Sequence, residues 1–399
     1  MNCSMSENES PNPDHGIYLD NAATTAVDPR VVEAMLPLFT GYYGNASSFH
    51  HFGTRSKEIL DNSRETIAEC IGAKPGEIFF TSSGTEANNW ALKGIACAHR
   101  HRGNHLIVSS IEHDCILNTC RWLSGLGFSI TYLPVDSFGM IDLQELERSI
   151  LPQTILVSVM HANNEIGTIQ PIAEIGRICH DHGILFHSDC CQSFGKIPLN
   201  VRRSNVDLIT LNAHKIYGPK GTGALYIREG ISIVPLLHGG GQEKGLRSST
   251  ENLPSIVGFA KASSLCMDEM TTEIKRLTEL RKKIEQSVFS IYEQSYLNGH
   301  PDLRLPGLLN FGIHGLEGET IRLLLLLDSF GIAVSTGSAC SSNDPSHNGS
   351  HVLRSIGLNA FQARGSIRIS LGRFTTARDI EIFNISLHNV LAKLTSIFS

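Results

Sequence analysis

Strand-like and helical segments alternate between Gly103 and Tyr226. This alternation predicts an α/β fold on a mostly parallel sheet, with a smaller α+β unit toward the C-terminus. β-rich runs occur at residues 105–108, 128–133, 155–159, 184–187, 208–211 and 224–227, with helical patterns such as 142–150 and 172–182 between them. Helices of that length act as crossovers, so neighbouring strands run parallel and both sheet faces are covered. A polar helix is predicted from about Ser264 to Glu293, carrying Glu273, Lys275, Arg276, Glu279, Arg281, Lys282 and Lys283. It bridges to a second unit with a segment at 303–311, an apolar helix at 319–330 and a strand at 366–371. The expected division is a loose tail over 1–16, a large unit over 17–262 and a smaller unit over 263–399. Residues 17–25 are expected to pack near the smaller unit. Its stretch 334–352, rich in Ser, Gly, Asn and Pro, reads as a mobile loop.

Composition narrows the function classes. The chain has 399 residues, 41% hydrophobic and 18% charged, which suits a large core and argues against disorder. A net charge of -6 with scattered basic residues argues against a nucleic-acid surface. The longest dense apolar stretch, 323–327, is far shorter than the roughly 20 residues of a membrane span. The polar N-terminus lacks the apolar run of a secretory signal. Ten cysteines without a short regular framework suit reduced thiols in the cytoplasm.

Ligands of such sheets bind at the carboxyl ends of strands. Strand-like Ile78-Phe79-Phe80 runs into Thr81-Ser82-Ser83-Gly84-Thr85 and then into a helical pattern. A small, hydroxyl-rich turn opening a helix offers unpaired backbone N–H groups to a phosphate. A plain helix cap by Ser83 or Thr85 reads the same residues equally well. No G-x-G-x-x-G or G-x-x-x-x-G-K-[ST] pattern occurs, which weakens dinucleotide and nucleoside-triphosphate readings. Asp189 and Lys215 each follow a predicted strand. Pyridoxal 5'-phosphate needs that pair, a lysine for its aldehyde and a carboxylate for its ring nitrogen.

The segment Asn212-Ala213-His214-Lys215-Ile216-Tyr217-Gly218-Pro219-Lys220-Gly221 is too specific for an arbitrary loop. With Tyr18-Leu19-Asp20-Asn21-Ala22-Ala23-Thr24-Thr25, Ile111-Glu112-His113, His161-Ala162-Asn163-Asn164-Glu165-Ile166-Gly167 and His238-Gly239-Gly240-Gly241, it resembles the cysteine desulfurases of iron–sulfur cluster assembly. These belong to the class V aminotransferase family of pyridoxal-phosphate enzymes. Phe80 to Glu86, the Asp189 segment, Arg247-Ser248-Ser249-Thr250 and Thr336-Gly337-Ser338-Ala339-Cys340 extend the match from residue 17 to about residue 376. The resemblance implies an aminotransferase-like architecture, fold type I, with a seven-stranded sheet and a homodimer.

It also implies residue roles. Gly84, Thr85, Asn212 and His214 would hold the phosphate, and Thr250 would reach the phosphate of the other subunit. His113 would stack on the pyridine ring, Asp189 would pair with its nitrogen and Gln192 would contact its hydroxyl. Asn164 and Arg368 would hold the substrate carboxylate. Lys215 would carry the cofactor and move the Cα proton of L-cysteine. The Cys340 thiolate would take the sulfur as a persulfide, leaving alanine, and pass it to an acceptor protein such as an iron–sulfur scaffold.

Among the cysteines, Cys70, Cys97, Cys179 and Cys266 sit in apolar helical patterns and are expected as small buried hydrophobes. Cys340, before a polar loop, has the setting of a mobile nucleophile. Asn212 stands where the family commonly has Ser or Thr. Cys190 and Cys191 replace small residues or Thr beside Asp189 and read as inert fillers or, alternatively, as oxidation-sensitive thiols. The chain also lacks the longer tail with which some relatives dock their scaffold. Competing readings are a selenocysteine lyase and an inactive sulfur carrier or scaffold. No C-x-x-C or H-x-x-x-H spacing supports a metal site.

Overall fold

The computed structural model describes residues 16–336 and 349–395. Cys340 and the surrounding stretch 337–348 lie outside the described residues. β1 (Ile17–Tyr18) leads to α1 (Pro29–Met35), α2 (Pro37–Thr40) and α3 (His51–Ile71). A strand–helix alternation follows: β2 (Ile78–Thr81), α4 (Gly84–Ala98), β3 (His105–Ser109), α5 (Asp114–Gly125), β4 (Ser129–Leu133) and α6 (Leu143–Ser149). It continues with β5 (Thr154–Ser158), α7 (Ile172–Asp181), β6 (Leu185–Asp189), β7 (Leu208–Asn212) and β8 (Gly223–Ile227).

These strands form a seven-stranded sheet in the order β2-β8-β7-β6-β5-β3-β4, parallel between β4 and β7. Only β8 runs against its neighbours. Every residue of β2, β3, β5, β7 and β8 is buried, because helices cover both faces. One face packs Ile107, Val157, Phe186 and Ile209 against α3, α7 and the start of the long helix; the other packs Leu106, Leu156 and Leu208 against α4 and α5. Two buried histidines tie adjacent strands. His105 joins Thr154 and Thr131 at 2.7 and 2.8 Å, and His187 joins Ser158 and Thr210 at 2.8 and 3.0 Å.

The bridging helix, α8, runs over Leu253–Ile291, so it begins eleven residues, about three turns, before the expected start near Ser264. Asn252 caps it, accepting from Ser255 N. Its first half is apolar because Leu253, Ile256, Phe259 and Leu265 lie in the large core. Leu280, Ile284 and Val288 enter a second core, and polarity rises only between the two. That second core is built from β9 (Ser295–Leu297), β10 (Leu308–Ile313), α9 (Thr320–Ser329), β11 (Ile332–Ala333), β12 (Ile367–Ser370) and α12 (Ala377–Thr395), while α10 (His351–Ser355) and α11 (Ala360–Arg364) pack in a separate cluster. Its antiparallel sheet has the order β12-β10-β9, and β1 pairs with β11 in parallel. The N-terminal segment therefore crosses to the second core before returning to the large sheet. No helix among the described residues is long and apolar enough to cross a membrane.

Candidate active site

The carboxyl ends of β2, β5, β6 and β7 converge on one cavity of about 320 Å³. Gly84, Thr85, His113, Asn164, Asp189, Asn212, His214, Lys215 and Arg368 all line it. Sequence positions spread over nearly three hundred residues thus meet where an α/β sheet places its ligands.

Ser83 caps α4, accepting from Glu86 N at 3.1 Å, and Glu86 reaches back to Ser82 N at 2.8 Å. The cap reading is therefore borne out, and it is compatible with the phosphate reading. With Ser83 as cap, the N–H groups of Gly84 and Thr85 still lack helical acceptors and open toward the cavity. Gly84 has a steric reason as well: a Cβ there would lie 2.6 Å from Cys191 Sγ.

Asp189 closes β6 and is 5% exposed. Asn88 Nδ2 donates to one carboxylate oxygen at 2.7 Å and Cys191 N to the other at 2.9 Å. Asn88 lies one helical turn past Gly84, on the side of α4 that meets the end of β6. Lys215 follows β7 in a tight turn closed by Ile216 N and Gly218 N on Ala213 O. Tyr217 sits there at φ 67°, a left-handed conformation rare for an aromatic residue, so surrounding contacts must hold it. Thr25 does so, its hydroxyl accepting from Tyr217 N at 2.8 Å while it bonds His214 O. Among the described residues, no hydrogen bond or ion pair ties down the Lys215 ammonium.

His113 caps α5, its Nδ1 accepting from Cys115 N at 3.1 Å. That acceptor role fixes the neutral ring with its hydrogen on Nε2. Burial and the Lys215 charge push its pKa down, which favours this neutral form. Burial, with Lys215, Lys220 and Lys196 nearby, pushes His214 down to about 4. Its ring spans Thr24 Oγ1 and Asn212 Nδ2 at 3.1 and 3.4 Å. Arg368, on β12, is 3% exposed; it donates to Asp20 at 2.7 Å and to Asn164 O at 3.0 Å.

Two expected residues stand apart. Gln192 is buried with its amide engaged, donating to Ala22 O at 2.8 Å and accepting from Lys196 at 3.0 Å. Thr250 is exposed and does not line its own chain's cavity. Cys115 and His351 line the cavity without having been singled out. Of the four helical cysteines, Cys179 and Cys266 are buried, Cys70 is intermediate and Cys97 is exposed. Cys97 departs from expectation because it falls on the outer face of α4, just past buried Ala96. Cys190 and Cys191 are both buried; burial pushes Cys190 up to about 12 and Cys191 well above the ordinary thiol range.

The aminotransferase class-V family model matches residues 17–383. A cysteine desulfurase IscS of Methanosarcina thermophila is 49% identical over 365 residues, 92% of this chain and 89% of that protein. A solved NifS-like protein is 38% identical with a TM-score of 0.88, over 94% of this chain and 99% of that one. SspA, solved in complex with cysteine, is 39% identical with a TM-score of 0.80, over 90% and 100%. The chain belongs to the aminotransferase class-V family, in its cysteine desulfurase group.

Proposed function

We propose that this protein is a pyridoxal-phosphate-dependent cysteine desulfurase that takes sulfur from L-cysteine, releases alanine and passes a Cys340 persulfide to an acceptor protein. The convergence of Lys215, Asp189, His113 and the open α4 N-terminus on one cavity carries this reading. The cavity also suits the cofactor's chemistry. Its wall offers the Lys215 amine, and the buried Oδ1 atoms of Asn88 and Asn212 have no hydrogen-bond partner among the described residues.

The phosphate would be held by the Gly84 and Thr85 N–H groups, with Asn212 and His214 beside it. Asp189 would hold the protonated ring nitrogen, and Asn88 and Cys191 N keep that carboxylate oriented. When bound, pyridoxal phosphate supplies an electron-withdrawing ring that stabilises negative charge on the carbon bearing the substrate's amino group. Lys215 Nζ holds the cofactor covalently at rest and moves the substrate's Cα proton during turnover. Arg368, aimed by Asp20, and Asn164 bind the carboxylate of cysteine. His113, with its Nε2–H free to donate, would cover the ring face. Gln192 would need to release one amide partner to reach the ring hydroxyl. Cys340, outside the described residues, is assigned as the nucleophile on the substrate sulfur.

Phe39, Tyr43, Phe49 and Phe52 are all exposed, and Tyr43 stacks on Phe52 at 5.7 Å. Together with Thr250 facing away from its own cavity, they support a homodimer sharing its sites. The same reading takes the enzyme as cytoplasmic, with an iron–sulfur scaffold as acceptor. We propose the large and small units with their boundary near residue 262, inside α8.

The test is turnover of L-cysteine by the purified protein, with alanine and sulfide measured under reducing conditions and persulfide mapped by mass spectrometry. Wild type should release alanine and carry persulfide on Cys340. Lys215→Ala should lose the cofactor's visible absorbance after dialysis, and Cys340→Ser should keep it without forming persulfide. Undiminished sulfide release by Cys340→Ser overturns the nucleophile, and a colourless inactive wild type overturns the whole reading.

A further inference from the structure

α10 leaves the second core. Val352, Leu353 and Ile356 pack with Ala363 of α11 against Ile111, Met160 and Ile166, in an apolar cluster separate from both main cores. Ile111 lies two residues before His113, and Met160 and Ile166 flank Asn164. This short helix is therefore docked on the two wall segments that carry His113 and Asn164.

Its first residues make the polar contacts. Ser350 Oγ donates to Glu165 Oε2 at 2.5 Å; both residues are buried, and Glu165 directly follows Asn164. His351 Nε2 lies 2.8 Å from Glu112 O, and Glu112 directly precedes His113. A carbonyl oxygen can only accept, so the His351 nitrogen donates. Just upstream, Gly349 has φ 73°, and a Cβ there would lie 3.0 Å from backbone atoms of Ala363 and Arg364. Only glycine fits that turn without strain, so the start of α10 is fixed against α11 as well.

We infer that Ser350 and His351 are a pair of positioning residues for the reaction, Ser350 setting Asn164 through Glu165 and His351 setting His113 through Glu112. Each acts on the chain neighbour of a wall residue, and His351 Nδ1 also lies 4.0 Å from Asp114 on the other side of His113. The two act on separate walls. His351 governs the face of the cofactor ring, and Ser350 governs the grip on the substrate carboxylate. Glu165 is fully enclosed, and burial pushes its carboxyl up, so the Ser350 hydroxyl is its main side-chain hydrogen bond. Ser350 also caps α10, accepting from Leu353 N at 3.2 Å, which any test must separate from its bond to Glu165.

This inference rests on the desulfurase reading, and wild-type turnover of L-cysteine with a visible cofactor band is the control for that reading. On the holoenzyme, Ser350→Asp keeps a good cap but sets a carboxylate against Glu165. It should raise KM for cysteine roughly tenfold, the scale of a lost hydrogen bond to a carboxylate, with the visible circular dichroism of the cofactor unchanged. Ser350→Thr, which keeps the hydroxyl, should restore KM. His351→Ala should change the visible circular dichroism and lower kcat roughly 2- to 10-fold with KM unchanged, and His351→Gln, which can still donate, should recover both. A merely structural role would lower the thermal midpoint and move kcat and KM together in both variants. That result, or failure of the conservative variants to rescue an active holoenzyme, overturns the inference.

Discussion

Gly84→Ala tests how closely the floor of the cavity is built. Gly84 opens α4 with ordinary backbone angles, so alanine meets no backbone strain there. The cost is steric. The new methyl carbon would sit 2.6 Å from Cys191 Sγ, against an optimal non-bonded separation of about 3.5–4.0 Å. Cys191 is 7% exposed and has a single side-chain torsion, so it has little room to yield. Overpacking of this kind costs about 1–3 kcal/mol. Carried by the phosphate cup, that corresponds to roughly 5- to 150-fold weaker cofactor binding. The assay is titration of the apo-protein with pyridoxal phosphate, followed by visible absorbance, for wild type, Gly84→Ala, Cys191→Ala and the double variant. Removing the sulfur makes room for the methyl, so the double variant should bind better than Gly84→Ala alone, with a coupling of at least about 1 kcal/mol. Wild-type affinity in Gly84→Ala, or single effects that add within about 0.5 kcal/mol, refutes the packing argument.

Three more outcomes are expected. Arg368→Gln removes the 2.7 Å ion pair to half-buried Asp20, so KM for cysteine should rise steeply and stability should fall by about 1–3 kcal/mol, read by denaturant titration. His161 and His187 are held down to about 4 by burial, and His214 likewise by burial and nearby lysines. Depressed histidines favour the fold above their unfolded pKa of about 6.5, so stability should fall as pH drops from there toward 4, with proton uptake on unfolding; calorimetry showing no such uptake counts against it. Cys190 and Cys191, buried with raised pKa values, should resist mild peroxide in the folded protein, while exposed Cys97 should react with iodoacetamide; mass spectrometry showing oxidised Cys191 first would reverse that order.

The readable part of the site was the part written in local pattern. β-rich runs ending in Asp189 and Asn212-Ala213-His214-Lys215 signal strand ends whatever packs around them, and Ser82-Ser83-Gly84-Thr85 signals a helix start. The start of α8 was misjudged because its first half is apolar through burial in the large core, a context that propensity does not encode. Asn88 escaped notice because an asparagine inside a helix carries no signal until β6 is laid beside it.

By itself, then, the sequence determined the alternating α/β class and the placing of Asp189, Lys215 and the Gly84 helix start at strand ends, because strand ends, helix caps and turn residues act over a few neighbours. Only the tertiary structure decided that Asn88 holds Asp189, that Cys191 crowds Gly84, that Gln192 is tied to Ala22 and Lys196, and that α10 docks beside His113 and Asn164. Apart from Gln192 with Lys196, those contacts join residues a hundred or more positions apart, and their geometry follows from how the sheet, its helices and the second core pack together.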